Sequence, residues 1–291
     1  MKNKYLKILI LFIFFVLSFG IFGEAQEEFD KVTIQELKEL KVNQKSILKT
    51  MEGLKWQLTE PDKSVQILQE AIKLDNKNYL AYYVIGSIYR TRYNDAKKAI
   101  EYYEKAIKVN PKNPRPYNNM IIAYAYLGDV KKANEINKNM IDLFPEYPES
   151  YYSWALKLMG EKKYSESTEY MKKAIEKYNK IDKLNYWYIT KETKQYGIMD
   201  AQKVIVYNYL DQNKLTEAIE FFKDDVFINM KQNKYPDVNQ LLAVLYEKNQ
   251  ELYEKENPKL YKENFDNLKS IEFLGLMVEA AEFMEKSDKK K

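Results

Sequence analysis

The sequence contains no cysteine and no histidine. Without cysteine there is no disulfide, no thiol nucleophile and no thiolate metal site. Without histidine the commonest general base and the commonest metal ligand are missing, which excludes Ser-His-Asp and Cys-His mechanisms. Glycine is sparse, with eight residues among 291, and they form no G-x-x-x-x-G-K phosphate loop. Carboxylate or lysine chemistry is left. The adjacent acids Glu27-Glu28 and Asp224-Asp225 point apart on a helix and read as solvated faces, not as a catalytic pair. The expectation is a chain that is not an enzyme, with no cofactor and no metal.

What is present is a foldable composition, 45% hydrophobic and 31% charged. The formal net charge is +4, and removing residues 1–25, which carry Lys2, Lys4, Lys7 and Glu24, leaves +2. A nearly balanced chain with no basic stripe argues against a nucleic-acid partner. The 26 tyrosines, among many Lys, Asn and Ile, read first as a compositional bias and only second as binding aromatics.

Residues 1–25 read as an address. MKNKYLK is a short basic leader, residues 8–23 are apolar, and Gly23-Glu24-Ala25 puts small residues before a cut ahead of Gln26. The apolar run is shorter than the roughly 20 residues a spanning helix prefers. Two outcomes stay open: a cleaved signal peptide, with the chain exported to the periplasm or secreted, or an uncleaved segment anchoring it to the cytoplasmic membrane. Membrane contact is expected only through this leader, and only if it stays.

The remainder is periodic. Ala99, Ala106 and Pro111 recur 34 residues on as Ala133, Met140 and Pro145, and again as Ser167, Ala174 and Asn179. One step back, with one extra residue, stand Ser64, Ala71 and Asn76. Between these segments lie YLAYYVIGSIYRTRYN, RPYNNMIIAYAYLGD and SYYSWALKLMGEKKY, each with an aromatic near its start and an apolar middle. Ala99, Tyr103, Ala106 and Ile107 share one helical face, so each unit holds two amphipathic helices. Pro111 and Pro145 stop the second helix of a unit, because proline has no donor to continue it.

A 34-residue unit with these markers resembles the tetratricopeptide repeat. The resemblance is carried by Tyr82, Gly86, Tyr89, Ala99, Tyr103, Ala106 and Pro111, then Tyr117, Tyr124, Gly128, Ala133 and Pro145, and more thinly by Tyr151, Trp154, Ala155, Leu158 and Ala174, where Ser167 replaces alanine. It covers residues 61–180, roughly two-fifths of the chain. The implied fold is all-α, an α-solenoid of helix-turn-helix repeats with helical caps.

Around that stretch the expected organisation is a leader over 1–25, an N-terminal helix within 26–60, repeats over 61–180, and a degenerate repeat pair with capping helices over 181–291. Thr33 and Glu36 form a capping-box pattern. Leu37, Leu40, Ile47, Met51, Leu54 and Leu58 fall at heptad spacing, with Gln44 as the polar seam position. This predicts one helix over 33–58, either capping the first repeat or making a short coiled coil and hence a homo-oligomer. After residue 180, an aromatic insertion with Tyr186, Trp187 and Tyr188 precedes a repeat-like pair over 199–225, and two helices follow.

The resemblance also implies a job, the holding of an unidentified protein partner. In such arrays the first helices line a concave groove, and Tyr83, Ser87, Arg90, Arg115, Asn118, Ile122, Tyr126, Tyr152, Leu156 and Met159 are the positions that would face it. The plainer reading makes Tyr83 and Tyr152 gap fillers between repeats. Tyr83 and Ser87 stand where one subtype of the family needs a lysine and an asparagine to grip a carboxylate, which argues against that clamp here. The sequence-level expectation is therefore a non-enzymatic scaffold of the bacterial cell envelope, or else a self-assembling spacer joined through the heptad helix.

Overall fold

The computed structural model describes residues 33–181, 191–233, 235–254 and 257–288. The leader, Glu27-Glu28 and the Trp187 insertion lie outside the described residues, as do the side chains of Leu252, Val278 and Ala281. The described residues contain helices and no strand. Among them no helix is long and apolar enough to cross a membrane. The chain falls into two compact units, one built on residues up to Ser150 and one on Tyr151–Lys180 and Lys191–Lys291.

The first unit opens with a short helix α1, residues 33–39. It continues as α2 (Gln44–Trp56), α3 (Pro61–Leu74), α4 (Tyr79–Thr91), α5 (Ala96–Val109), α6 (Pro114–Tyr126) and α7 (Val130–Leu143). The first helices of successive pairs start at 44, 79 and 114, and the second at 61, 96 and 130, so the step is 34 or 35 residues. The single helix expected over 33–58 is not formed. The chain turns at 40–43, with Lys41 in the left-handed region at φ 57°, and Asn43 caps a new helix by accepting from the Lys45 amide. Helix α2 is thereby the first helix of a pair with α3, one repeat earlier than the sequence pattern suggested. The capping box is not made either. Thr33 Oγ1 has no hydrogen-bond partner among the described residues, and the Glu36 carboxylate points elsewhere.

Each helix begins for a local reason. Asn43, Asn78 and Asn113 cap the first helices and Asp95 and Asp129 the second, each side chain accepting from a backbone N–H of the first turn. Pro61 and Pro114 occupy first-turn positions that lack an intrahelical acceptor anyway. The turns inside the α4–α5 and α6–α7 pairs each carry one left-handed residue, Asn94 at φ 54° and Gly128 at φ 80°, whereas the α2–α3 turn has none.

Helix spacing is set by size complementarity. Gly53 faces Leu68 and Gly86 faces Tyr103, and a Cβ on either glycine would lie 2.7 Å from the partner side chain. Ser64 occupies the small position of α3 and donates to the Gly53 carbonyl at 2.7 Å. The core runs through Leu37, Ile47, Leu68, Tyr79, Val84 and Ile85, then Ala99, Tyr103, Met120 and Ala123.

The second unit holds most of α8 (Pro148–Gly160), then α9 (Tyr164–Lys180), α10 (Lys191–Asp211), α11 (Leu215–Phe221), a π-helical turn over Phe222–Val226, α12 (Phe227–Gln232), α13 (Val238–Glu254) and α14 (Pro258–Asp288). Lys162 at φ 62° and Asn213 at φ 58° repeat the left-handed turn, and Lys163 N→Leu158 O and Lys214 N→Tyr209 O close it identically at 2.9 Å. The pair starting at 191 is thus a repeat whose turn survives although its sequence has drifted. It is longer than the 199–225 expected, because its first helix already starts at Lys191 and its second runs on through the π turn, where one extra residue per turn is accommodated. Phe222, Val226 and Phe227 are buried there, and Asp224 and Asp225 face solvent as expected of a solvated pair.

Candidate functional site

The sequence-derived groove positions divide by unit. In the first unit, α4 carries Tyr83, Ser87 and Arg90, and α6 carries Arg115, Asn118, Ile122 and Tyr126. Tyr83 is half-buried; its hydroxyl accepts from Asn119 Nδ2 at 3.0 Å, and its ring centroid is 6.0 Å from that of Tyr103. Arg90 is half-buried, and its charge acts on the Tyr103 phenol. Burial pushes that phenol up to about 12, so it stays a neutral donor to Ser87 Oγ at 3.5 Å. Asn118 and Ile122 are half-buried and Tyr126 is 62% exposed. These side chains offer aromatic, amide and apolar area along consecutive first helices, with no enclosed cavity among them.

Arg115 does not belong to that surface. It is 1% exposed, in the second position of α6, and its charge acts on Glu36 and Tyr79. A guanidinium this deep is closed to a partner in this conformation.

In the second unit, Tyr152 and Met159 are 5% and 8% exposed, so the plainer reading of Tyr152 as a filler is the one the packing supports. Burial pushes the Tyr152 phenol well above its ordinary range, with Asp200 adding to the shift. The neighbouring cluster was not foreseen from sequence. Lys203 Nζ donates to Tyr235 Oη at 2.8 Å and Asp237 Oδ2 at 2.8 Å, and lies 3.1 Å from Asp200 Oδ1. Tyr235 donates to the same Asp200 oxygen. Burial acts to lower Lys203, but Asp200 and Asp237 outweigh it and hold the ammonium above its usual range. All three protons of the ammonium have acceptors, so the cluster fastens the start of α13 to α10 and leaves no ligand position. Its only sequence signal was Asp200 and Lys203 at i,i+3, a spacing common on any helix.

A cleft of about 430 Å³ lies between α3 and α4, lined by Asp62, Val65, Gln66, Tyr89 and Tyr93. Tyr93 donates to Asp62 across it, and Lys98 Nζ sits 4.3 Å over the Tyr89 ring. Among the described residues no group of three or more acids is placed to hold a metal ion.

Antiparallel helix pairs at a step of 34 or 35 residues, with left-handed turns recurring inside most of the pairs, define the class of helix-turn-helix repeat folds. Residues 79–113, the pair α4–α5 with its following turn, match the family described as tetratricopeptide repeat. The chain therefore carries a tetratricopeptide repeat at 79–113 and has the fold of an all-α solenoid of helix-turn-helix repeats of that type. It is 30% identical over 106 residues to the photosystem I assembly protein Ycf3 of Cyanophora paradoxa, covering 35% of this chain and 60% of that one. It is 30% identical over 93 residues to the same protein of Rippkaea orientalis, covering 31% and 52%. The match thus spans little more than half the length of these curated relatives. Among solved structures, the APC/C hetero-tetramer Cut9-Hcn1 aligns with a TM-score of 0.55 at 11% identity, over 86% of this chain and 43% of that one, a likeness of fold.

Proposed function

We propose that this protein is a non-enzymatic scaffold of the bacterial cell envelope, exported by its N-terminal leader, which holds a segment of a partner protein on the first-helix face of its repeats. The observation that carries this reading is the α4–α6 surface, where the exposed Tyr126 and the half-buried Tyr83, Asn118 and Ile122 share consecutive first helices of the repeats. Aromatic side chains of this kind anchor protein interfaces at low entropic cost. The leader pattern supports export, with cleavage or anchoring as its two outcomes.

The test is in-cell photo-crosslinking from a probe at Tyr126 or Asn118, with Lys105 on the outward face of α5 as control. One dominant foreign protein, absent from the control, supports the scaffold reading. Identical products from probe and control, or self-crosslinks alone, refute it. Self-assembly through heptads is disfavoured by the packing, since Leu37 and Ile47 are buried in the first unit's own core, although Leu58 remains 65% exposed.

A further inference from the structure

The cleft of about 430 Å³ on the first unit stands apart from the first-helix surface. Asp62, Val65 and Gln66, which share one face of α3, form one side of it. Tyr89 near the end of α4 and Tyr93 in the turn that follows form the other. Val65 is buried, the two tyrosines are half-buried, and Asp62 and Gln66 are exposed. The two rings lie 5.2 Å apart and are tilted by 51°, so they make a corner and not a stack. Tyr93 donates to the Asp62 carboxylate across the cleft. Burial and then that bond push the phenol up to about 12, so it stays a neutral donor and leaves the carboxylate charge uncompensated.

Comparison with the rest of the chain shows what this corner is short of. Lys63 Nζ lies 3.2 Å over the Trp56 ring, Lys98 Nζ 4.3 Å over Tyr89 and Lys105 Nζ 4.7 Å over Tyr102. Tyr102 also stacks on Tyr89, with centroids 5.5 Å apart. Where a phenol donates to a carboxylate elsewhere, a cation accompanies the pair. The Arg115 charge acts on Tyr79 and Glu36, and Lys203 bonds Tyr235 and lies 3.1 Å from Asp200. Among the described residues Tyr93 lies under no cation and Asp62 forms no ion pair. Lys63, the neighbour of Asp62 in sequence, is engaged by Trp56 and by Glu60 at 3.6 Å. A ring and a carboxylate that the chain leaves without a cation therefore open onto the cleft.

We propose that this cleft binds a quaternary ammonium group, the head of a small organic cation of the choline type, seated against the Tyr93 ring beside Asp62. The ring quadrupole attracts a cation, and the carboxylate supplies the counter-charge. A methylated head fits these walls better than a primary ammonium does. It presents apolar surface to Tyr93 and Val65, and it carries no N–H to compete with Tyr93 for the Asp62 oxygens. A free solute and a choline-headed lipid share this chemistry. The proposal does not depend on the α4–α6 surface reading.

The test is calorimetric titration of the full chain with choline, with ethanolamine, and with the neutral isostere of choline in which a tert-butyl group replaces the trimethylammonium. Choline is expected to bind about tenfold more tightly than either, and Asp62→Asn and Tyr93→Leu are each expected to weaken it about tenfold. Asp62 is exposed, so Asp62→Asn tests the seat without reaching the core and decides the matter if Tyr93→Leu fails to fold by circular dichroism. Choline that does not bind, an isostere that binds as tightly, or a folded Asp62→Asn with full affinity overturns the proposal. Ethanolamine binding as tightly as choline overturns the assignment to a quaternary head. Sedimentation with phosphatidylcholine vesicles separates the two sources. Vesicle binding that Asp62→Asn removes identifies a lipid head, and choline binding with no difference between wild type and Asp62→Asn on vesicles identifies a free solute.

Discussion

Replacing Gly86 by alanine separates intrinsic helix propensity from repeat packing. In an open helix, Gly→Ala stabilises by about 1 kcal/mol. At Gly86 the new Cβ would sit 2.7 Å from Tyr103 Cε1, 2.8 Å from Cδ1 and 3.1 Å from the Ala99 carbonyl oxygen. Tyr103 has nowhere to retreat, being fully buried with its hydroxyl donating to Ser87. Overpacking of this kind costs about 1–3 kcal/mol, so the expected net effect is a loss of up to about 2 kcal/mol. Gly160, with nothing within 4 Å of a built Cβ, is the control, where alanine is expected to be neutral or to stabilise by up to about 1 kcal/mol. The assay is urea unfolding followed by far-UV circular dichroism, reading the midpoint at unchanged slope. Adding Tyr103→Leu to Gly86→Ala should cost less than the sum of the single changes, since leucine is the residue paired with Gly53. A Gly86→Ala midpoint as high as that of Gly160→Ala would refute the claim that the glycine–tyrosine pair sets helix spacing.

Lys203→Met strands the buried Asp200 carboxylate without its cation and should cost about 3–5 kcal/mol, read as lost hydrogen-exchange protection at the start of α13. Ser167→Ala removes a donor to the Ala155 carbonyl at 2.8 Å and an acceptor for Asn208 Nδ2 at 3.0 Å, and should cost about 1–2 kcal/mol by denaturation. Ser64→Ala, whose hydroxyl among the described residues bonds the Gly53 carbonyl alone, should cost less in the same assay. Because burial raises the folded Glu36 pKa above 4.5, its protonated form is favoured in the native state. Its stabilising contribution is therefore full below pH 4.5 and is lost as pH rises through the raised value, a dependence that Glu36→Gln should remove from the unfolding midpoint measured across that window.

The sequence determined the repeat. Its 34-residue spacing, the small residues Ala99, Ala106 and Ala133 and the stops at Pro111 and Pro145 act within one helix or between neighbouring helices, and interactions that local leave a periodic trace. The half-exposed surface of α4 and α6 was legible for the same reason, as Tyr83, Asn118, Ile122 and Tyr126 share a face with the repeat's apolar positions.

Other features depended on partners distant in sequence. A heptad pattern across 33–58 does not register that Lys41 turns left-handed, because the break is fixed by where Leu37 and Glu36 find burial. Arg115 read as a surface anchor until Glu36, 79 residues upstream, proved to lie opposite it. Tyr152 read as groove until α10 brought Asp200 and Lys203 beside it. Periodicity reports which face of a helix is apolar, whereas only the tertiary structure decides which buried charge meets which.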